Sequence, residues 1–76
     1  MQIAWVECAA MTIIFNGEPR EIASGMTVSE FLRELNVVAT RVAVEVNLEV
    51  VPRGNQAKHQ LREGDRLELV TLVGGG

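Results

Sequence analysis

The sequence predicts an α+β domain: a mixed four- to five-stranded sheet with one helix packed on one face. Three observations carry that reading. Asn16-Gly17 separates two β-like segments, Thr27-Val28-Ser29-Glu30 opens one short amphipathic stretch, and period-two alternation returns at Val42–Val46 and at Arg66–Val73. A helix between strands requires a crossover, and one small helix covers one face of one small sheet.

Thr12-Ile13-Ile14-Phe15 is β-branched and aromatic, and Asn16-Gly17 follows at once. Asn-Gly is the strongest short hairpin signal, because a type I′ turn needs positive φ at both central residues. The return segment, Glu18 to Ala23, contains Pro19, which has no N–H for a ladder and places this strand at a sheet edge. After Ser24-Gly25, Thr27 to Glu30 reads as a capping box, with the hydroxyl and carboxylate each satisfying one orphan backbone N–H. Val28, Phe31, Leu32 and Leu35 then make one apolar face, and Asn36 stops a helix of about nine residues. Val42, Val44 and Val46 form a half-buried strand. Asn47-Leu48-Glu49 turns into Val50-Val51, and Pro52 ends that short strand. Arg53 to Gln60 is polar, with room for a single helical turn, and Leu61 is its core anchor. Glu63-Gly64-Asp65 is a turn, and the last strand runs from Arg66 to Val73.

With 76 residues, the chain fits one small domain, and such a domain has little interior for a deep enzyme pocket. Ten acidic residues outnumber seven scattered basic ones, for a net charge of -3, so no basic stripe exists to bind nucleic acid. A single thiol, Cys8, excludes an internal disulfide and an iron–sulfur centre and fits a reducing compartment. The first ten residues lack the basic start of a signal peptide, and no segment approaches the roughly 18 apolar residues of a membrane span. A cytoplasmic location is expected. His59 has no second ligand nearby and reads as a surface histidine. Arg53 reads as a surface charge, and Cys8 has no activating neighbour.

The last three residues are Gly74-Gly75-Gly76, directly after the apolar run Leu67 to Val73. Without Cβ atoms, such a tail can pass close to another surface and hold a terminal carboxylate away from the body. A frayed end has the same look. In the strand before it, Val70 and Leu72 alternate with Leu69, Thr71 and Val73. Apolar residues on both faces admit two readings, a docking patch beside the tail or a central strand buried on both sides.

The element order resembles the β-grasp (ubiquitin-like) fold, which hosts several functions. From Met11 the likeness is closer. Met11 to Gly17, Gly25 to Leu35, Val44 to Asn47, Val50 to Arg53, Leu61 to Val70 and the final glycines together resemble the sulfur carrier protein family of thiamine (thiazole) biosynthesis. The combination of Asn47, Val51-Pro52-Arg53, Glu63-Gly64-Asp65 and the Val-Gly-Gly-Gly ending is specific. The resemblance implies a β-grasp domain over 11–73, a flexible tail over 74–76, and an N-terminal extension over 1–10 with no assigned role.

It also implies that the Gly76 carboxylate is adenylated by a ubiquitin-activating-type adenylyltransferase and then converted to a thiocarboxylate that delivers sulfur to thiazole synthase. Gly74 and Gly75 would thread into partner sites, and Val70 and Leu72 would lie in a docking patch. The chain has no Gly-x-x-x-x-Gly-Lys loop, so ATP, Mg²⁺ and the sulfur donor would be used by partner enzymes, with no cofactor or metal on this chain. On this reading the free protein is a monomeric carrier, not an enzyme. The small subunit of molybdopterin synthase shares the fold and the ending. It usually approaches the tail through an apolar-Pro-Pro-Val segment, whereas Val70-Thr71-Leu72-Val73 has no proline. A ubiquitin-like modifier and a non-covalent β-grasp binding module are the remaining alternatives.

Overall fold

The computed structural model describes residues 10–72. Expectations for residues 1–9 and for Val73 to Gly76 lie outside them. Five strands form one sheet in the order β2-β1-β5-β3-β4. They are β1 (Ala10–Phe15), β2 (Glu18–Ala23), β3 (Val42–Val46), β4 (Glu49–Val50) and β5 (Arg66–Thr71), with one helix, α1 (Val28–Glu34), after the first hairpin. The architecture is α+β and β-grasp, as the sequence predicts. Short 3₁₀ turns occur at Ala39–Arg41 and Arg53–Asn55. The second is the helical turn anticipated in the polar segment, and the first has no periodicity by which to see it.

Both hairpins owe their register to two-residue turns. Asn16 and Gly17 have φ of 48° and 88°, and Asn47 and Leu48 have 53° and 71°. Positive φ at both positions matches the twist of the flanking strands. At Leu48 it costs an L-residue roughly 1–2 kcal/mol. In the first hairpin Phe15 faces Glu18 and Ile14 faces Pro19. Alternation from the two-residue turn puts Pro19 at a position whose main chain points away from β1. The missing N–H therefore falls on the free edge, and no ladder bond is lost. Pro19 is on an edge strand, as expected.

β5 occupies the centre of the sheet, parallel to β1 on one side and antiparallel to β3 on the other. Alternation then sorts the side chains. Met11, Ile13, Ile22, Val44, Val46 and Leu67 turn to the helix and are buried together with Val28, Phe31 and Leu32. The rings of Phe15 and Phe31 meet edge to face at 5.2 Å, and the Arg20 guanidinium lies 5.8 and 5.7 Å from their centroids. Leu61 is 2% exposed and is the anchor expected of it.

The helix runs seven residues, Val28–Glu34, shorter than the expected nine. Leu35 caps it, and Asn36 then turns to φ 59°, so the apolar face outlasts the helical ladder by one residue. At the other end the capping box is complete: Glu30 N–H donates to Thr27 Oγ1 at 3.1 Å, and Thr27 N–H donates to Glu30 Oε1 at 3.0 Å. Two more orphan N–H groups remain in the first turn. Val28 donates to the His59 carbonyl at 2.9 Å and Ser29 to the Gln56 carbonyl at 3.1 Å. The irregular segment after Pro52 thus serves as a second cap. Thr27→Ala is expected to lower stability by about 1 kcal/mol in urea unfolding, without changing the fold.

Candidate functional site

The sequence-predicted site comprises Gly74, Gly75, Gly76, Val70 and Leu72. The three glycines lie outside the described residues. The structure therefore speaks to the root of the tail, which is β5 and the residue that follows it.

β5 is held along its length by β3, from Val46 opposite Leu67 to Val42 opposite Thr71. One further bond extends this hold, from Leu72 N–H to the Arg41 carbonyl at 2.8 Å. On the other side β1 reaches only as far as Phe15, opposite Leu67. Asn16 N–H donates to the Leu67 carbonyl at 2.9 Å, and the Asn16 side-chain oxygen accepts from Leu69 N–H at 2.8 Å. A turn residue thus carries the ladder past the end of its strand. That contact joins positions 53 apart, and no local signal announces it. Asn16→Gly keeps the positive φ and removes the acceptor. It is expected to speed hydrogen exchange at the Leu69 amide and cost about 0.5–1.5 kcal/mol.

The start of β5 is fixed as well. Asn47 Nδ2 donates to Asp65 Oδ1 at 3.0 Å, Asn47 Oδ1 accepts from Arg66 N–H at 3.0 Å, and Asp65 Oδ2 accepts from Arg62 N–H at 2.8 Å. Asn47 and Asp65, read in the sequence as turn residues, are joined here in one network between the β3–β4 turn and the loop entering β5.

The reading of Val70 and Leu72 as part of a strand buried on both sides does not hold. Although β5 is central, its face away from the helix has no covering layer among the described residues. Val70 is 51% exposed and Leu72 55%. Val70 pairs with Ala43, and across β3 the outward neighbour of Glu45 is Val50, 64% exposed. Val50 was not singled out from the sequence. Its strand is two residues long, too short for alternation to show which face it takes. Glu68 and Glu45 lie opposite each other on the same outer face. Leu48, at the hairpin tip, is 85% exposed.

The remaining polar candidates stay apart. His59 contributes its main chain to the helix cap, and among the described residues no group of three or more His, Cys, Asp or Glu side chains could hold a metal ion. Likewise no helix among them is long and apolar enough to cross a membrane.

A small sheet with one helix, and a clamped central strand leading into the terminal residues, define a β-grasp protein of the ubiquitin-like class. Residues 13–76 match the model of the ThiS family. The chain belongs to the ThiS family. The sulfur carrier protein ThiS of Escherichia coli K12 is 35% identical over 66 residues, covering 87% of this chain and all of that protein. A thiazole synthase of Paramagnetospirillum magneticum is 46% identical over 66 residues, and there the match covers 20% of the relative. The chain therefore spans about a fifth of the length of that relative. The crystal structure of the thiamine biosynthesis protein ThiS of Geobacter metallireducens superposes with a TM-score of 0.77 at 35% identity, over 87% of this chain and 100% of that one. These relatives and this solved structure are named as sulfur carrier, thiazole synthase or thiamine biosynthesis proteins.

Proposed function

We propose that the chain carries sulfur on the carboxylate of Gly76 for formation of the thiazole ring, acting as a protein substrate rather than a catalyst. The observation that supports this most directly is a central strand held by β3 up to Leu72, and on its other side by β1 and Asn16 up to Leu69, immediately before Val73-Gly74-Gly75-Gly76. A rigid body bearing a side-chain-free end presents a carboxylate to enzymes that close over it. Gly74 and Gly75 provide the narrow segment such enzymes can thread.

The chemistry follows from the poor electrophilicity of a carboxylate at neutral pH. An adenylyltransferase of the ubiquitin-activating type, using ATP and Mg²⁺, joins the carboxylate oxygen to the α-phosphorus and releases pyrophosphate. A sulfur nucleophile from a donor then takes the carbonyl carbon and AMP leaves, so the terminal oxygen is exchanged for sulfur. The resulting thiocarboxylate delivers its sulfur to thiazole synthase. Val70 and Leu72, with Val50 beside them, form the surface by which these enzymes hold the carrier. The domain covers 11–73 and the tail 74–76, in a cytoplasmic protein that is a monomer when free, with no resident cofactor or metal.

Intact-mass analysis tests the reading. After incubation with ATP, Mg²⁺, the adenylyltransferase and a sulfur donor, the chain is expected to gain the difference between one sulfur and one oxygen, mapped to Gly76. An unchanged mass under conditions that load the Escherichia coli ThiS protein would overturn it.

A further inference from the structure

β3 is fully paired towards β5 and only partly covered on its other side. Leu72 N–H donates to the Arg41 carbonyl and Asn47 N–H to the Arg66 carbonyl. In an antiparallel ladder the intervening pairs alternate. Arg41, Ala43, Glu45 and Asn47 therefore turn their main-chain groups to β5, while Val42, Val44 and Val46 turn theirs to the opposite edge. Val46 is matched across the hairpin by Glu49, and the Val44 carbonyl accepts from Val51 N–H at 2.9 Å. There the pairing stops. The Val51 carbonyl is positioned to receive Val44 N–H in return, but it accepts the Gln56 side-chain amide at 3.2 Å. Gln56 is 3% exposed and its own carbonyl caps α1, so it is fixed in that role. Among the described residues no partner meets Val44 N–H or either main-chain group of Val42.

The gap is a cleft of about 270 Å³, walled by Ala39, Val42, Val51, Pro52 and Leu72. Among its lining residues Arg53 alone is charged. A row of unpaired main-chain groups with apolar walls is what an added strand satisfies: the backbone supplies affinity and alternate side chains fill the walls.

We propose that the free edge of β3 is a strand-addition site. It takes an extended, apolar, acid-bearing segment of a partner protein, paired with Val42 and Val44, with a carboxylate at Arg53. A second copy of this chain is the poorer occupant, since its own β3 edge brings another Arg53 and its cleft lining offers no acid to meet it. Because Leu72 forms part of the wall, a segment bound here holds the root of the tail without covering Val70 on the outer face. The inference concerns binding alone and does not depend on any chemistry at Gly76, so either can fail without the other.

The test uses the full chain labelled with ¹⁵N. It is titrated with a capped hexapeptide of alternating valine and isoleucine flanked by aspartates, and with the same peptide flanked by lysines. The amide resonances of Val42 and Val44 are expected to shift and their hydrogen exchange to slow, with Glu68 and Val70 unaffected. The aspartate peptide should bind more tightly by about threefold to fivefold, the scale of one exposed charge pair. Arg53→Glu should reverse that preference, and its spectrum reports in the same experiment that the fold is kept. Equal binding of both peptides by both proteins overturns the proposal, as do shifts centred on Glu68 and Val70, or no binding. Protection of Val44 that grows with protein concentration in the absence of peptide also overturns it, in favour of a second copy.

Discussion

Deleting Gly75 and Gly76 is expected to abolish sulfur loading while leaving the folded domain as it is. The sheet, the helix cap and the core are built from contacts among residues 10–72, so the free energy of unfolding in urea should stay within about 0.5 kcal/mol of the parent, as for a surface change. Loading should instead fall below detection, because the carboxylate would end two residues short of its reach, about 7 Å of extended chain. Mass spectrometry after incubation with the activating enzyme reads one property and urea unfolding the other. A truncated chain that still acquires sulfur would place the acceptor elsewhere and sink the assignment to Gly76. A truncated chain that unfolds would show the tail to be structural.

The second large effect is on stability. Phe31→Ala should cost about 3–5 kcal/mol, the range for removing a large buried aromatic. Phe31 has no exposed surface, sits at the centre of the helix–sheet contact, and packs edge to face on Phe15 beneath Arg20. Native domains have about 5–15 kcal/mol in all, and a chain of this size belongs near the lower end. The variant should therefore be largely unfolded at physiological temperature, seen as loss of amide dispersion and a collapsed urea midpoint. Phe31→Leu, which keeps most of the volume, should lose about 1.5 kcal/mol or less and stay folded. Equal behaviour of the two would show that the core is filled by rearrangement.

These effects attach to features that differ in how far the sequence discloses them. The first hairpin, the capping box, the edge position of β2 and the valine strand are local, set by dihedral preference, side-chain reach over three residues or period-two burial, and they stand where the sequence puts them. The strand order is not local. That β5 lies between β1 and β3 depends on contacts between the two ends of the described chain, and period-two alternation cannot separate a central strand from an edge strand.

For the same reason alternation cannot decide the exposure of Val70, which follows from a sheet face left bare among the described residues. The second cap on α1, the reach of Asn16 to Leu69 and the capture of the Val51 carbonyl by Gln56 are all long-range or single-atom events. Hydrophobic pattern carries no trace of them. The family resemblance, resting on blocks spread from Met11 to Gly76, supplied the functional reading that geometry over 10–72 does not reach alone.

The bond from Leu72 to Arg41 sets how the tail can lengthen. Antiparallel hydrogen bonds come at alternate residues, so the next point of hold behind it is the pair of Val70 and Ala43. Releasing the terminal bond therefore frees two residues together and extends the leash by about 7 Å, at the cost of one solvent-exposed hydrogen-bonded pair. On the proposed function, an enzyme with a deeper tunnel would draw on that reserve without disturbing the helix or the core, and the carrier's reach would be adjustable in discrete steps rather than continuously.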